Sequence, residues 1–129
     1  MSDALDFLCH DDPPEPINLI MSRLVEILGS RLCALIGDVQ QTGTVREWVE
    51  GKEPTGGRSR IFRFALRVAS TIEQQYGSAA AQSWFQGANL ALADESPALA
   101  LRRATCAVAA EAISAERQVK RALRAFLDI

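Results

Sequence analysis

The amino-acid sequence lacks the residue patterns from which enzyme active sites are built. It has one histidine, His10, and no glycine-rich phosphate loop, metal-ligand spacing or nucleophile motif. His10 stands beside Cys9 and two aspartates, but nothing elsewhere in the chain supplies a second pair of ligands. We therefore predict a protein that is not an enzyme and that carries no cofactor and no metal.

Long apolar runs are also missing, and the three cysteines have no paired spacing. No stretch approaches the roughly 20 apolar residues that span a membrane, and the acidic start lacks the positive region of a signal peptide. The cysteines at 9, 33 and 106 include no CxxC pair, which is typical of reduced thiols. These features predict a cytoplasmic protein with no membrane partner.

Aromatic residues make up only 6% of the chain, and β-branched residues are sparse, while alanine, leucine and arginine are abundant. That composition favours helices over strands, and Gly29 and Gly77 are predicted to end two of them. We predict an all-α fold of five or six helices. A helix-turn-helix-like N-terminal bundle is followed by a small helical domain with a long C-terminal helix.

Acidic and basic side chains are unevenly distributed, although the net charge is only −2. Residues 1–16 contain five acids and no lysine or arginine, and three prolines end this leader. Residues 46–67 carry six bases against three acids, and residues 102–124 carry six against two. The leader is predicted to be a mobile, solvated tail or, alternatively, an internal mimic of an anionic partner.

Residues 32–54, LCALIGDVQQTGTVREWVEGKEP, have the organisation of a helix-turn-helix. Residues 38–43 form the predicted turn, and Thr44 is predicted to cap the second helix. Val45 and Trp48 would anchor that helix inward and leave its other face exposed. The alternative is a helical hairpin that packs and binds nothing.

The exposed face of this second helix is predicted to contact operator DNA. Its N-terminus would approach phosphates and base edges through Thr44 and Arg46, with Arg46 as the candidate for a guanine contact. A second set of arginines would add phosphate contacts from the next helix: Arg58, Arg60, Arg63 and Arg67. The alternative for this second set is an ordinary solvated helix face.

Residues 81–101, AQSWFQGANLALADESPALAL, combine a tryptophan, a short irregular strip and a strong helix start. Ser96 can cap a helix, and Pro97 can occupy its first position, where the missing N–H costs nothing. The pattern resembles the C-terminal toxin-binding domain of Xre/MbcA/ParS-type antitoxins, in which a helix-turn-helix region also comes first. The residues that carry the resemblance are Trp84, Asn89, Leu92, Ser96, Pro97 and Leu101.

The resemblance implies a bacterial antitoxin of a type II toxin–antitoxin pair. Such proteins neutralise a toxin of the RES fold, which consumes NAD, by covering its active site with a C-terminal helical surface. Many also repress their own operon by binding its DNA. The implied division is a leader over 1–16, a helix-turn-helix-like region over 17–77 and a toxin-binding domain over 78–129. The alternative is a stand-alone helix-turn-helix regulator without a toxin partner.

Within the strip, the side chains suit structure more than chemistry. We predict that Trp84 anchors the strip to the core, the alternative being a direct toxin contact. Asn89 is predicted to hydrogen-bond to free backbone groups, and Ser96–Pro97 to set the exit angle of the final helix. Members of the family commonly have a glycine after the leucine of the strip, where this chain has Ala93–Asp94.

The final helix is predicted to run without interruption from Pro97 nearly to the C-terminus, over about 45 Å. Mostly small residues recur along it with heptad spacing: Leu101, Thr105, Val108, Ala112, Ala115, Val119, Ala122 and Phe126. The alternatives are packing against the protein's own helices, with a break near Ser114, and a seam for a second subunit. Because so long a helix exceeds a compact body of this size, we predict a homodimer. Its seam would consist of Val108, Ala112, Ala115 and Val119.

Overall fold

The computed structural model describes residues 13–127, and its regular elements in that range are helices. Seven α-helices and one 3-10 helix follow one another: α1 (Ile17–Leu28), α2 (Ser30–Ile36), α3 (Thr42–Val49), α4 (Arg58–Tyr76), α5 (Ser78–Gln86), the 3-10 helix (Leu90–Leu92), α6 (Pro97–Thr105) and α7 (Ala109–Leu127). The predicted all-α class is confirmed, with seven α-helices where five or six helices were predicted.

Only the end of the acidic leader belongs to the described residues. The predictions for residues 1–12, including a mobile tail and the Cys9–His10 pair, lie outside them. Of the helices between residues 13 and 127, none combines the length and the apolar character needed to cross a membrane.

Helix α4 forms the centre of the fold and packs against helices from both ends of the chain. Its buried side chains include Phe62, Phe64 and Leu66, each at most 1% exposed. Helices α1 and α5 pack along it, and α6 and α7 also contact it. Residues before and after Gly77 therefore contribute to one hydrophobic core, which the two predicted regions share.

Two single glycines join consecutive helices at the predicted places. Gly29 lies between α1 and α2, and Gly77 lies between α4 and α5. Both have a φ of 91°, in the left-handed half of the backbone map that side chains other than glycine rarely adopt. The chain can therefore change direction between two helices within one residue.

The prediction of one uninterrupted C-terminal helix is wrong. Helix α6 ends at Thr105, α7 begins at Ala109, and the break lies at residues 106–108 instead of near Ser114. The last turn of α6 tightens, because the Cys106 and Ala107 amides donate to carbonyls three residues back, each at 3.3 Å. The Thr105 hydroxyl also donates to the Arg102 carbonyl, at 2.7 Å. No glycine or proline marks this position.

The break lets α7 fold back and bury much of the predicted seam within the same chain. Ala112 and Val119 are 6% and 0% exposed, and α7 packs chiefly on α6 and the 3-10 helix. Ala115 is only partly buried, and Val108 is 67% exposed. The length of the helix therefore no longer requires an outside partner. Of the four predicted seam residues, only Val108 and Ala115 remain accessible to a second subunit, because Ala112 and Val119 are buried.

Candidate functional site

The predicted helix-turn-helix corresponds to α2, a five-residue turn over 37–41, and α3. Helix α3 begins at Thr42, three residues earlier than predicted, so Thr44 lies inside the helix. The prediction that Thr44 caps α3 is therefore wrong, because its amide already donates to the Gln41 carbonyl in the first turn, at 3.2 Å. The turn is shorter than the predicted 38–43 and closer to the three or four residues typical of the motif.

Helix α3 buries one face and exposes the other, as predicted. Val45 and Trp48 are 1% and 4% exposed, and the Trp48 ring lies 5.2 Å from the ring of Phe62 on α4. Arg46 is exposed and Thr44 is half-buried. Arg46 forms no ion pair with any residue in 13–127. The outer face of α3 therefore presents a guanidinium that is available to a ligand.

Gly37 permits the close approach of α2 to the aromatic side chains behind it. A Cβ atom at this position would lie 2.7 Å from Phe62 Cζ and 3.0 Å from Trp48 Cη2. Contacts this short require the rings to move. The turn therefore begins where the core leaves no room for a side chain.

Asp38, the second residue of the turn, is held by Arg102 and Cys106, and the sequence analysis missed all three residues. Asp38 has a φ of 57°, and its carboxylate accepts hydrogen bonds from Arg102 and Cys106 at the end of α6. The bond from the Cys106 thiol, followed by that from Arg102, lowers the pKa of Asp38 below its usual range. We call Asp38, Arg102 and Cys106 the Asp38 cluster. Arg102 and Cys106 lie 64 and 68 residues after Asp38, so no local sequence pattern indicates the cluster.

Two of the α4 arginines predicted to contact phosphates bind the protein's own acceptors. Arg58 Nε donates to the Gly37 carbonyl at 2.6 Å, and its Nη1 donates to Thr55. Arg60 Nε lies 2.9 Å from Glu116 Oε2 on α7. These contacts occupy Nε of both arginines and Nη1 of Arg58, so a phosphate could be bound only through the remaining N–H groups of each guanidinium.

The third α4 arginine holds the end of the leader. Arg63 Nη1 donates to the Pro13 carbonyl at 3.0 Å and also to the Glu15 carbonyl. Of the predicted DNA-contacting residues, only Thr44 and Arg46 lie on α3, and only Arg46 is exposed on its outer face. The arginines of α4 share a helix but are divided among different intramolecular contacts.

Backbone hydrogen bonds close the strip between α5 and α6 into a compact turn. The Asn89 amide donates to the Glu95 carbonyl at 3.2 Å, and the Asp94 amide donates to the Asn89 carbonyl at 2.9 Å. The Asn89 side-chain oxygen accepts from the Ala91 amide at 3.0 Å. The prediction that Asn89 satisfies free backbone groups is confirmed.

The start of α6 also follows the prediction. Ser96 is the N-cap residue, and its hydroxyl accepts from the Leu99 amide at 3.2 Å. Pro97 occupies the first turn, where its missing N–H leaves no carbonyl unpaired. The strip therefore fixes the position and direction in which α6 begins after α5.

Ala93 and Asp94 occupy the positions where the chain departs from the resembled family. Their φ values are 55° and 69°, and the Glu95 amide donates to the Leu92 carbonyl at 3.1 Å. Two consecutive residues with positive φ are typical of a type I′ turn, which favours glycine and asparagine. Alanine is therefore strained at a position where the resembled family commonly has glycine.

We expect Ala93→Gly to stabilise the protein by about 0.5–1 kcal/mol. Removing Cβ relieves the left-handed strain of about 1–2 kcal/mol, and the greater freedom of glycine in the unfolded chain offsets part of the gain. Urea denaturation measures the difference. Ala88→Gly is the matched control, because Ala88 is exposed in the same strip without a positive φ. If Ala93→Gly raises the free energy of unfolding no more than Ala88→Gly does, the backbone at Ala93 is not strained.

The apolar residues of the motif are buried. Trp84, Leu92 and Leu101 are 8%, 6% and 0% exposed. The Trp84 ring lies 5.2 Å from the Phe85 ring and 6.2 Å from the Phe126 ring on α7. This burial is what the core-anchor interpretation of Trp84 requires, whereas a direct partner contact would need an exposed ring.

Exposed apolar side chains are concentrated in the second half of the described chain. Six of the seven large ones lie at or after residue 76: Tyr76, Leu90, Leu99, Val108, Ile113 and Phe126. An open groove of about 450 Å³ also lies between α6 and α7, and it is lined by four alanines and by Arg103, Glu111, Ser114 and Gln118. Exposed apolar groups and a groove are features of protein-binding surfaces.

Comparisons of the chain with protein-family models, with curated proteins and with solved structures gave no match.

Proposed function

We propose that the protein is an antitoxin that binds a RES-type, NAD-consuming toxin through its C-terminal helices and binds operator DNA through α3. The observation that carries the proposal is the strip from Trp84 to Leu101. Its motif residues form a hydrogen-bonded turn and a capped helix start, with the three apolar members buried. Because these hydrogen bonds hold the strip, α6 has a defined position. A surface that binds a specific partner requires such a fixed position.

The toxin-binding surface in this proposal is the exposed apolar part of α6, α7 and the residues between them. Leu99, in the first turn of α6, is 40% exposed, and Val108, just before α7, is 67% exposed. Full burial of such a side chain is favourable by about 1.5–3 kcal/mol, and a partner would gain the part of this that corresponds to the area still exposed. The adjoining groove between α6 and α7, half of whose lining residues are polar or charged, would receive polar as well as apolar side chains of the toxin.

Copurification with a RES-type toxin, taken from the neighbouring gene where that gene encodes one, tests this surface. We expect Leu99→Asp and Val108→Asp to abolish copurification, because each places a charge in the apolar contact. Leu19→Asp is the matched control, since Leu19 is 49% exposed but lies on α1. Loss of the complex in the Leu19 variant alone, or in none of the three, would contradict the assignment.

DNA binding in this proposal depends on the outer face of α3. The face presents Arg46, and the N-terminal end of the helix, where Thr44 is half-buried, attracts phosphate. Glu47 on the same helix lies 3.6 Å from Lys52, so part of its charge is balanced. The α4 arginines could add phosphate contacts only through the N–H groups that their intramolecular contacts leave.

We expect Arg46→Ala to weaken specific DNA binding by about 1–3 kcal/mol and to relax specificity at one base position. Fluorescence anisotropy with the DNA upstream of the gene measures the affinity over a range of salt concentrations. Arg117→Ala is the matched control, because Arg117 is an exposed arginine on α7. Equal binding of wild type and Arg46→Ala would contradict the role of α3.

A second candidate function is a stand-alone transcriptional regulator without a toxin. The observation that favours it is the folding of α7 onto α6, which buries Ala112, Val119 and Leu123 in the protein's own core. A C-terminal helix used in this way supports the fold without any partner. Retained DNA binding together with failure to bind a RES-type toxin would select this candidate. In both candidates, a homodimer on a palindromic operator is a further proposal.

A further inference from the structure

We propose that Arg102 and Cys106, at the end of α6, are positioning residues for the DNA-binding helix α3, on which they act through Asp38. This inference rests on the proposed DNA binding and adds to it a dependence on the C-terminal half of the chain. A change that displaces Arg102 or Cys106, including contact with a partner beside them, would then alter DNA affinity.

The geometry uses both carboxylate oxygens of Asp38. Arg102 Nε and Nη2 lie 2.9 and 2.8 Å from Oδ1, and the Cys106 thiol lies 3.1 Å from Oδ2. Donors on two sides fix the rotation of the carboxylate as well as its position. Because Asp38 has a φ of 57°, fixing its side chain also holds the backbone in a conformation that few residues adopt.

The first three residues of α3 depend on the turn before them. Gln41 provides no side-chain cap, and the first inward anchor, Val45, is the fourth residue of the helix. Asp38 is four residues before Thr42, the first residue of α3. A shift of Asp38 therefore moves the end of α3 that is proposed to face DNA.

The cluster is too exposed to contribute much to global stability. The side chains of Arg102 and Asp38 are 41% and 34% exposed, and ion pairs in such positions are largely screened by water. Its effect should therefore be on the orientation of α3 and not on folding. Altered DNA affinity at unchanged stability separates a positioning residue from one that is merely structural.

The test measures DNA affinity by fluorescence anisotropy and the melting temperature of each variant. We expect Asp38→Asn and Arg102→Gln each to weaken specific binding at least about fivefold, the lower end of typical couplings between sites. Asparagine is chosen because it tolerates the left-handed backbone of Asp38. Both substitutions remove the same contact, the one between Arg102 and Asp38. The double variant should therefore bind DNA no more weakly than the single variant with the lower affinity.

Neighbouring and conservative substitutions provide the controls. Arg103→Gln is the matched control, because Arg103 pairs with Glu95 in the strip and not with the turn. We expect it to bind DNA like the wild type. Arg102→Lys, which keeps the charge, and Cys106→Ser, which keeps a donor, should retain more affinity than Arg102→Gln and Cys106→Ala.

The outcomes distinguish this inference from the function on which it rests. A wild-type protein that binds the upstream DNA no better than unrelated DNA would overturn both. Specific binding by the wild type with equal affinity of Arg102→Gln and Arg103→Gln would overturn only the inference. A loss of affinity that follows a loss of melting temperature would also overturn it, because the cluster would then act through folding.

Discussion

A Trp84→Ala protein is expected to lose about 3–5 kcal/mol of its free energy of unfolding. The indole ring is 8% exposed and packs against Phe85 and Phe126, so its removal leaves a cavity between α5 and the end of α7. Domains are stable by only about 5–15 kcal/mol, so the variant would be close to unfolding at physiological temperature. Urea denaturation of the two proteins measures the difference.

Trp84→Phe separates the contribution of the ring from that of its N–H group. Trp84 Nε1 is buried and has no hydrogen-bond partner among residues 13–127. Replacement by phenylalanine therefore removes no hydrogen bond and retains an aromatic ring, and it should cost clearly less than Trp84→Ala. An unchanged midpoint for Trp84→Ala would show an exposed ring and would favour Trp84 as a partner contact.

Leu123→Ala is expected to cost about 2–5 kcal/mol, the range for a leucine removed from a packed core. Leu123 is 0% exposed on α7, which can be buried within the chain only because the helix turns back after Thr105. The same substitution on an uninterrupted helix that projects from the body would have little effect on a monomer. The variant therefore tests the folded-back helix directly, again by urea denaturation.

Ile113→Ala provides the matched comparison on the same helix. Ile113 is 37% exposed, so its truncation should change the stability by clearly less than that of Leu123. Similar small losses at both positions would mean that α7 does not pack on the core as the structure has it. Measurements at two protein concentrations exclude a contribution from dimers, since dimer stability rises with concentration.

Local signals in the sequence predicted most helix boundaries, because those boundaries depend on neighbouring residues. Gly29 and Gly77 end helices through their positive φ, and Ser96–Pro97 starts α6 through its cap. The break after Thr105 could not be predicted in this way. The stretch is rich in alanine and favours a continuous helix, and only burial of α7 against the rest of the fold outweighs that preference.

The candidate site shows the same division between local and long-range causes. Helical periodicity predicted that Val45 and Trp48 face inward and Arg46 outward on α3, and the structure has them so. It could not predict that Arg60 pairs with Glu116, because the partner lies 56 residues further along the chain. The Asp38 cluster was missed for the same reason: its contacts exist only once α6 packs beside α2.

NAD consumption by a purified RES-type toxin, titrated with this protein, tests the proposed function most directly. We expect NAD consumption to fall in proportion to the added protein and to stop once the toxin's active sites are covered. The Val108→Asp variant should leave the toxin active, while the Leu19→Asp variant should inhibit it like the wild type. A toxin encoded beside this gene that keeps its full activity in a large excess of folded protein would contradict the account.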